Sequence, residues 1–101
     1  LSSMRRAAKT DSNQQEIVKA LRSIGAHVLL CHQLKNAFDI LVGYRGKLFI
    51  IEIKDGSLPP SKRRLTEGEQ KCADGFASVG VKYYIAESVD DAIKIVCEND
   101  K

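Results

Sequence analysis

Phe38-Asp39-Ile40-Leu41-Val42-Gly43-Tyr44-Arg45-Gly46-Lys47-Leu48-Phe49-Ile50-Ile51-Glu52-Ile53-Lys54 is two apolar runs split by Arg45-Gly46. It reads as a β-hairpin with a two-residue turn, and the register follows by counting outward. Tyr44 faces Lys47, Gly43 faces Leu48, Leu41 faces Ile50 and Asp39 faces Glu52. Opposed residues share a face and side chains alternate along a strand, so Lys54 joins Asp39 and Glu52 on that face. Two carboxylates and an ammonium therefore converge at one end of an otherwise apolar hairpin. Opposed like charges are destabilising unless a cation sits between them.

Outward from the hairpin, the chain alternates helical and extended patterns. Upstream, Asn13 is placed to cap a helix whose stripe is Ile17, Ala20, Leu21 and Ile24 and which Gly25 closes. Ala26 to Leu34 reads as a mostly buried first strand, and Lys35-Asn36-Ala37 turns the chain into the hairpin strands, 38–44 and 47–54. Downstream, the proline-stiffened, basic segment Asp55 to Leu65 is a loop. Thr66 and Glu69 form a capping box for a second helix, with Gln70, Ala73, Phe76 and Ala77 toward the sheet and Gly80 at its end; Gly68 and Gly75 weaken it. Val81 to Ala86 is a fourth strand, and Ser88 caps a last helix bearing Val89, Ala92, Ile93 and Val96. The order α-β-β-β-α-β-α implies an α/β domain with a central mixed sheet, helices on its faces and a right-handed crossover into the fourth strand. Leu48 to Ile53 is then a central strand buried on both sides, where Glu52 is anomalous.

The 101 residues, 44% hydrophobic and 29% charged, fit one globular domain. Leu1-Ser2-Ser3 ahead of Met4 reads as an expression scar, leaving 4–101 as the domain. No apolar run approaches the roughly 18 residues of a membrane span and no signal peptide is seen, so the expected location is the cytoplasm. Cys31, Cys72 and Cys97 are too far apart for a zinc knot and odd in number for a disulfide framework; buried reduced thiols are expected. His27 and His32, five apart, are expected on opposite faces of the first strand and cannot pair as ligands. The net charge of +3 hides an asymmetry: residues 1 to 71 carry thirteen Lys and Arg against seven Asp and Glu, and residues 72 to 101 carry three against six. The basic part contains the hairpin, a loose arm with Arg5, Arg6 and Lys9, and the loop Ser61-Lys62-Arg63-Arg64, which suits a polyanionic partner such as nucleic acid.

Asp39, Glu52 and Lys54 match what metal-assisted phosphodiester hydrolysis requires. A magnesium-type ion takes oxygen ligands from one or two carboxylates, with water and phosphate completing its shell, and the Ile53 backbone carbonyl between Glu52 and Lys54 can add to the set. Lys54 would stabilise developing phosphorane charge, or help orient and deprotonate the attacking water. The bland alternative is a cross-strand salt bridge. Glu16 admits two readings, a capping-box glutamate paired with Asn13 or a carboxylate that reaches the cluster. Gln70 is either a satisfied core amide or a partner of the site. Lys62, Arg63 and Arg64 are placed for phosphate contacts or form a solvated charge run.

The ordered set Asn13-Gln14-Gln15-Glu16-Ile17-Val18, Phe38-Asp39-Ile40-Leu41-Val42-Gly43, Ile51-Glu52-Ile53-Lys54-Asp55-Gly56, Pro59-Pro60, Leu65-Thr66, Glu69-Gln70 and Glu87-Ser88 resembles the small stand-alone VRR-NUC proteins of phages and bacteria. These belong to the PD-(D/E)XK nuclease superfamily. The resemblance covers about Asp11 to Val96 and departs at Phe38, where many relatives carry proline. It implies a restriction-endonuclease-like core and an endodeoxyribonuclease dependent on Mg²⁺ or Mn²⁺. Asp39 and Glu52 would be ligands and Lys54 catalytic, with Glu16 and Gln70 raised to site residues. It further implies a homodimer acting on branched DNA in the manner of a Holliday junction resolvase. The alternatives are a flap or nicking endonuclease and a non-catalytic nucleic-acid-binding subunit. Two symmetric cuts need two active sites, which fits a C2 dimer.

Overall fold

A computed structural model of the chain describes residues 13–98. The Leu1 to Ser3 segment, the basic arm with Arg5, Arg6 and Lys9, and the end of the polar tail lie outside the described residues. The elements are α1 (Gln14–Ser23), β1 (His27–Leu30), β2 (Ile40–Tyr44), β3 (Lys47–Ile53), α2 (Glu67–Ala77), β4 (Tyr83–Ala86) and α3 (Val89–Glu98), with a 3-10 turn at Pro60–Lys62. The order is the expected α-β-β-β-α-β-α, and the four strands form one sheet in the order β1-β2-β3-β4. The first three are antiparallel and β4 runs parallel to β3, so the sheet is mixed.

The hairpin register is the counted one, with Tyr44 opposite Lys47, Gly43 opposite Leu48, Leu41 opposite Ile50 and Ile40 opposite Ile51. Its turn has Arg45 at φ +50° and Gly46 at φ +83°. Positive φ at both central residues gives the twist that matches two antiparallel strands, and glycine meets the second position without a Cβ clash.

Alternation sorts the sheet into two unlike faces. Val28, Ile40, Val42, Phe49, Ile51, Ile53 and Ala86 point to one, where they join Ile17, Val18 and Leu21 of α1 and Ala92 and Val96 of α3 in one apolar core. The opposite face is covered mainly at one end, by α2. Leu29 (53% exposed), Leu48 (69%) and Ile85 (41%) stand open on it.

Several local expectations need correction. β1 is shorter than Ala26–Leu34 and is an edge strand, with Val28 its only buried residue. It has a sheet partner on one side only, and Leu29 and Leu30 on it, like Leu34 beyond its end, are exposed. His32 consequently lies past the strand end rather than on a face of it. Only Cys31 of the three free cysteines is buried; Cys72 is half-buried and Cys97 exposed. β3 is buried continuously from Phe49 to Ile53, but Lys47 and Leu48 are exposed. Among the described residues no helix is long and apolar enough to cross a membrane.

Candidate active site

The ends of β1, β3 and β4 and the start of β2 meet at one edge of the sheet, and backbone hydrogen bonds fix them there. Cys31 N–H donates to Asp39 O (2.7 Å), Asp39 N–H to Ile51 O (3.2 Å) and Lys54 N–H to Ala86 O (3.0 Å). Asn13 adds a staple from α1, its side-chain Nδ2 donating to Lys54 O (3.1 Å) and to Glu87 O (3.2 Å). Asn13 stands at the N-cap position but makes no side-chain cap bond, contrary to expectation. Its Oδ1 is left buried without a partner among the described residues, so the staple comes at the expense of the cap.

On the α2 side of this edge, Asp39, Glu52 and Lys54 come together. Asp39 Oδ2 accepts a bond from the Ile53 backbone N–H (2.8 Å), which locks the entry of β2 against the end of β3. Glu52 is 4% exposed, its Oε2 lies 3.4 Å from Lys54 Nζ, and its carboxyl group is within hydrogen-bond reach of Asp39. Tyr83 sits beneath it on β4. The phenol donates to Ala37 O (2.6 Å), and Glu52 Oε1 lies 3.4 Å from the phenol oxygen.

The electrostatics follow from that crowding. Burial, then the charge of Asp39, push Glu52 from the ordinary 4.5 up to about 9. Asp39 is also raised, by burial, with the Ile53 N–H and Glu52 working against the rise. The two carboxyls therefore titrate as one coupled pair, in which burial favours the protonated form of both. Burial disfavours the Lys54 ammonium, but the hydrogen bond and charge of Glu69 and the charge of Glu52 outweigh it, so the Lys54 pKa is raised. The Tyr83 phenol is raised too, by burial first and then by Glu52.

Glu69 is the residue that the sequence reading left out of the site. Its Oε1 accepts from Thr66 N–H (2.9 Å) and from Lys54 Nζ (2.9 Å). Burial pushes it up, yet the Thr66 N–H and Lys54 hold its pKa below the ordinary value. The signal was present: the inward stripe of α2 is Glu69, Cys72, Ala73 and Phe76, all half-buried at helical spacing. Of the expected stripe, Ala73 and Phe76 do face the sheet, whereas Gln70 and Ala77 are exposed and Glu69 and Cys72 stand inward in their place. Gln70 is correspondingly exposed and donates from Nε2 to Asp74 Oδ1 (3.0 Å), away from the sheet.

Glu16 is exposed on the first turn of α1 and, among the described residues, makes no hydrogen bond to Asp39, Glu52 or Lys54. With Asn13 making no cap bond, it forms no capping box either. It lines a separate cleft of about 630 Å³ together with Asp55, Glu87, Asp90 and Asp91. So acidic a wall repels polyanions. In the basic loop, Arg63 is engaged within the fold, Nε donating to Leu58 O (2.7 Å) and an η nitrogen pairing with Glu87 Oε1 (2.9 Å). Lys62 and Arg64 are exposed.

Two hard carboxylates in a buried site short of positive charge fit a divalent cation. Among the described residues no three His, Cys, Asp or Glu side chains form a ready-made cage. The fit is to an ion that keeps much of its water shell, as magnesium does. In a strand the N–H and C=O of one residue project to the same side, so the Ile53 carbonyl faces the side of Asp39.

Comparison with solved structures finds a match to a chain described as "VRR_NUC domain", with a TM-score of 0.61 and 21% identity over 87% of this chain and 92% of that one. The fold is that of a VRR_NUC domain. No family model and no curated protein matches the chain. The α/β architecture expected from the sequence, a central mixed sheet flanked by helices, is the observed one. At this identity the likeness carries the VRR-NUC fold and leaves chemistry to the residues described above.

Proposed function

We propose that the chain is a VRR-NUC nuclease whose domain runs from Met4 to Lys101 and which hydrolyses DNA phosphodiesters with a divalent ion, Mg²⁺ or Mn²⁺. The observation that carries the reading is the convergence of Asp39, Glu52 and Lys54 at one buried edge of a VRR_NUC-like sheet.

Asp39, Glu52 and the Ile53 carbonyl would hold the ion. When bound, it supplies Lewis-acid charge to the phosphodiester and a nucleophile at neutral pH. The protein's own contribution is positional and electrostatic. The Ile53 N–H fixes one oxygen of Asp39, leaving the other for the ion. Lys54, held as an ammonium, meets the negative charge that develops on the phosphorane; its raised pKa favours this role over removal of a proton from water. Tyr83 limits the room in which Glu52 can turn. Lys62 and Arg64 are free to contact the phosphate backbone on the loop that follows Lys54, with Arg63 bracing that loop on Glu87. Glu16 and Gln70 join the site only if substrate binding reorders their helix turns. A domain this small, with a basic loop, selects DNA by shape and backbone more than by base edges. Branched DNA is therefore the preferred substrate, cut by a homodimer that presents two sites.

The test is a cleavage panel of four-way junction, flap, single-stranded and duplex DNA with Mg²⁺, Mn²⁺ or EDTA, for wild type and Lys54→Ala. Metal-dependent cutting, strongest on the junction, and loss of cutting with retained binding in Lys54→Ala are expected. Wild-type rates in Lys54→Ala would overturn the catalytic assignment. Preference for the flap would replace the resolvase reading, and binding without cutting in any metal would make the chain a binding subunit. A monomer in sedimentation with and without DNA would remove the dimer.

A further inference from the structure

Lysine brings a point charge on four rotatable bonds, and a charge that must meet one phosphoryl oxygen has to be held still. In this site the Lys54 ammonium has two partners, Glu69 Oε1 at 2.9 Å and Glu52 Oε2 at 3.4 Å. Glu52 belongs to the carboxylate pair that would bind the ion, so it cannot serve Lys54 alone. Glu69 also reaches the Glu52 carboxyl, but it lies on α2, outside the strand pair that carries Asp39 and Glu52. Its carboxylate is fixed by the first turn of α2, where Oε1 accepts from Thr66 N–H (2.9 Å) and its own N–H donates to Thr66 Oγ1 (3.1 Å). The same oxygen that closes the capping box receives Lys54. With two of the three ammonium protons engaged, one remains to point at substrate.

We propose that Glu69 is a positioning residue for Lys54: its carboxylate, held on the first turn of α2 by the Thr66 backbone N–H, is the fixture that sets where the catalytic ammonium sits. The inference rests on the nuclease reading, because only there does Lys54 touch the substrate. It also gives the 55–65 loop a mechanical role. That loop leaves from Lys54 and returns at Thr66, so the Lys54–Glu69 bond clasps its two ends.

Three variants separate the fixture from the cap. Glu69→Ala removes both the cap acceptor and the Lys54 partner. Glu69→Gln keeps a side chain that completes a capping box but replaces a charged acceptor with a neutral one. Thr66→Ala removes the cap hydroxyl and keeps the backbone N–H that Glu69 accepts. Expected in Glu69→Ala is a fall in kcat of about 10 to 10²-fold, the scale of a misplaced catalytic group, with KM little changed. Glu69→Gln should recover the melting temperature lost by Glu69→Ala and only part of kcat, while Thr66→Ala should lose melting temperature and keep kcat. A proton–nitrogen NMR signal from the Lys54 ammonium, slowed in exchange by its bonds, should be present in wild type and Thr66→Ala and absent in Glu69→Ala. If kcat follows the melting temperature across the three variants, or the Lys54 signal survives Glu69→Ala, the inference is overturned while the nuclease reading stands. A wild type that cuts nothing in any metal overturns the nuclease reading and takes the inference with it.

Discussion

The carboxylate of Asp39 accepts a 2.8 Å hydrogen bond from the backbone N–H of Ile53. One carboxylate oxygen thus finishes the β2–β3 ladder where the strands part, and the side chain is structural and chemical at once. Asp39→Asn keeps an acceptor for that N–H and removes the charge. It should leave the melting temperature in EDTA unchanged or higher, because the cost of burying the Asp39 charge beside Glu52 disappears. Cleavage should fall on the order of 10²-fold or more, the scale seen when a pre-organised electrostatic group is deleted. Melting scans in EDTA beside single-turnover cleavage would check both halves; a destabilised Asp39→Asn would show that the carboxylate pair is not strained.

Glu52 predicts a pH dependence with a definite sign. Its pKa in the fold, about 9, lies above the ordinary 4.5, so the folded chain binds the extra proton between those values. Stability from this group is fully present below about 4.5 and is lost as pH rises through about 9. In EDTA the melting temperature should decline across that window, and Glu52→Gln should flatten the decline. Metal binding must expel the proton, so Mg²⁺ affinity measured by calorimetry should rise with pH over the same range. A Mg²⁺ affinity independent of pH would place the ion elsewhere.

How far the sequence alone reaches differs between strand and helix. Arg45-Gly46 pins the hairpin because a two-residue turn permits one register, and that single count placed Asp39 against Glu52. Helix faces were less legible. A capping-box glutamate accounts for Glu69 locally, and nothing local shows that the same carboxylate oxygen also faces the sheet and receives Lys54, so Gln70 looked like the inward polar residue of α2. Asn13 misled in the opposite way: the residue type suits a cap, but two carbonyls 41 and 74 positions along the chain take its amide instead. Nothing local announces such distant partners. β1 looked buried by composition because Leu29 and Leu30 cannot reveal that their strand is an edge.

The three basic residues of the loop should behave differently. Lys62 and Arg64 are exposed, so the double change to alanine should weaken DNA binding and reduce the slope of log affinity against log salt by roughly 2, near one per phosphate contact. Arg63→Ala should instead cost up to about 1 kcal/mol of stability through its partly exposed pair with Glu87, with a smaller change in slope. Salt titrations of binding, paired with denaturant melts, would separate the two; an unchanged slope in the double variant would leave the loop a solvated charge run.

Two glycines in α2 predict opposite responses. A Cβ on Gly75 would meet nothing within 4 Å, so Gly75→Ala should stabilise by about 0.5–1 kcal/mol through helix propensity. A Cβ on Gly68 would collide with the Asn36 side chain, including its own Cβ at 2.7 Å, which is tied to a backbone at φ +55°. Gly68→Ala should forfeit that gain and displace the 34–38 segment. Urea denaturation of the two variants decides the matter, and equal stabilisation would mean that Asn36 yields freely.

The Arg45-Gly46 turn lies at the far tip of the hairpin from Glu52. Six residues of β3 separate Gly46 from Glu52's neighbour Ile53, and at about 3.3 Å of rise per residue the tip stands roughly 20 Å from the chemistry. Exposed tips of this kind accept inserted sequence. A short genetically encoded tag between Arg45 and Gly46 would put a fluorescent reporter on each copy of the chain, far from Asp39, Glu52 and Lys54. Energy transfer between differently coloured copies would then show whether two of them meet on one DNA molecule.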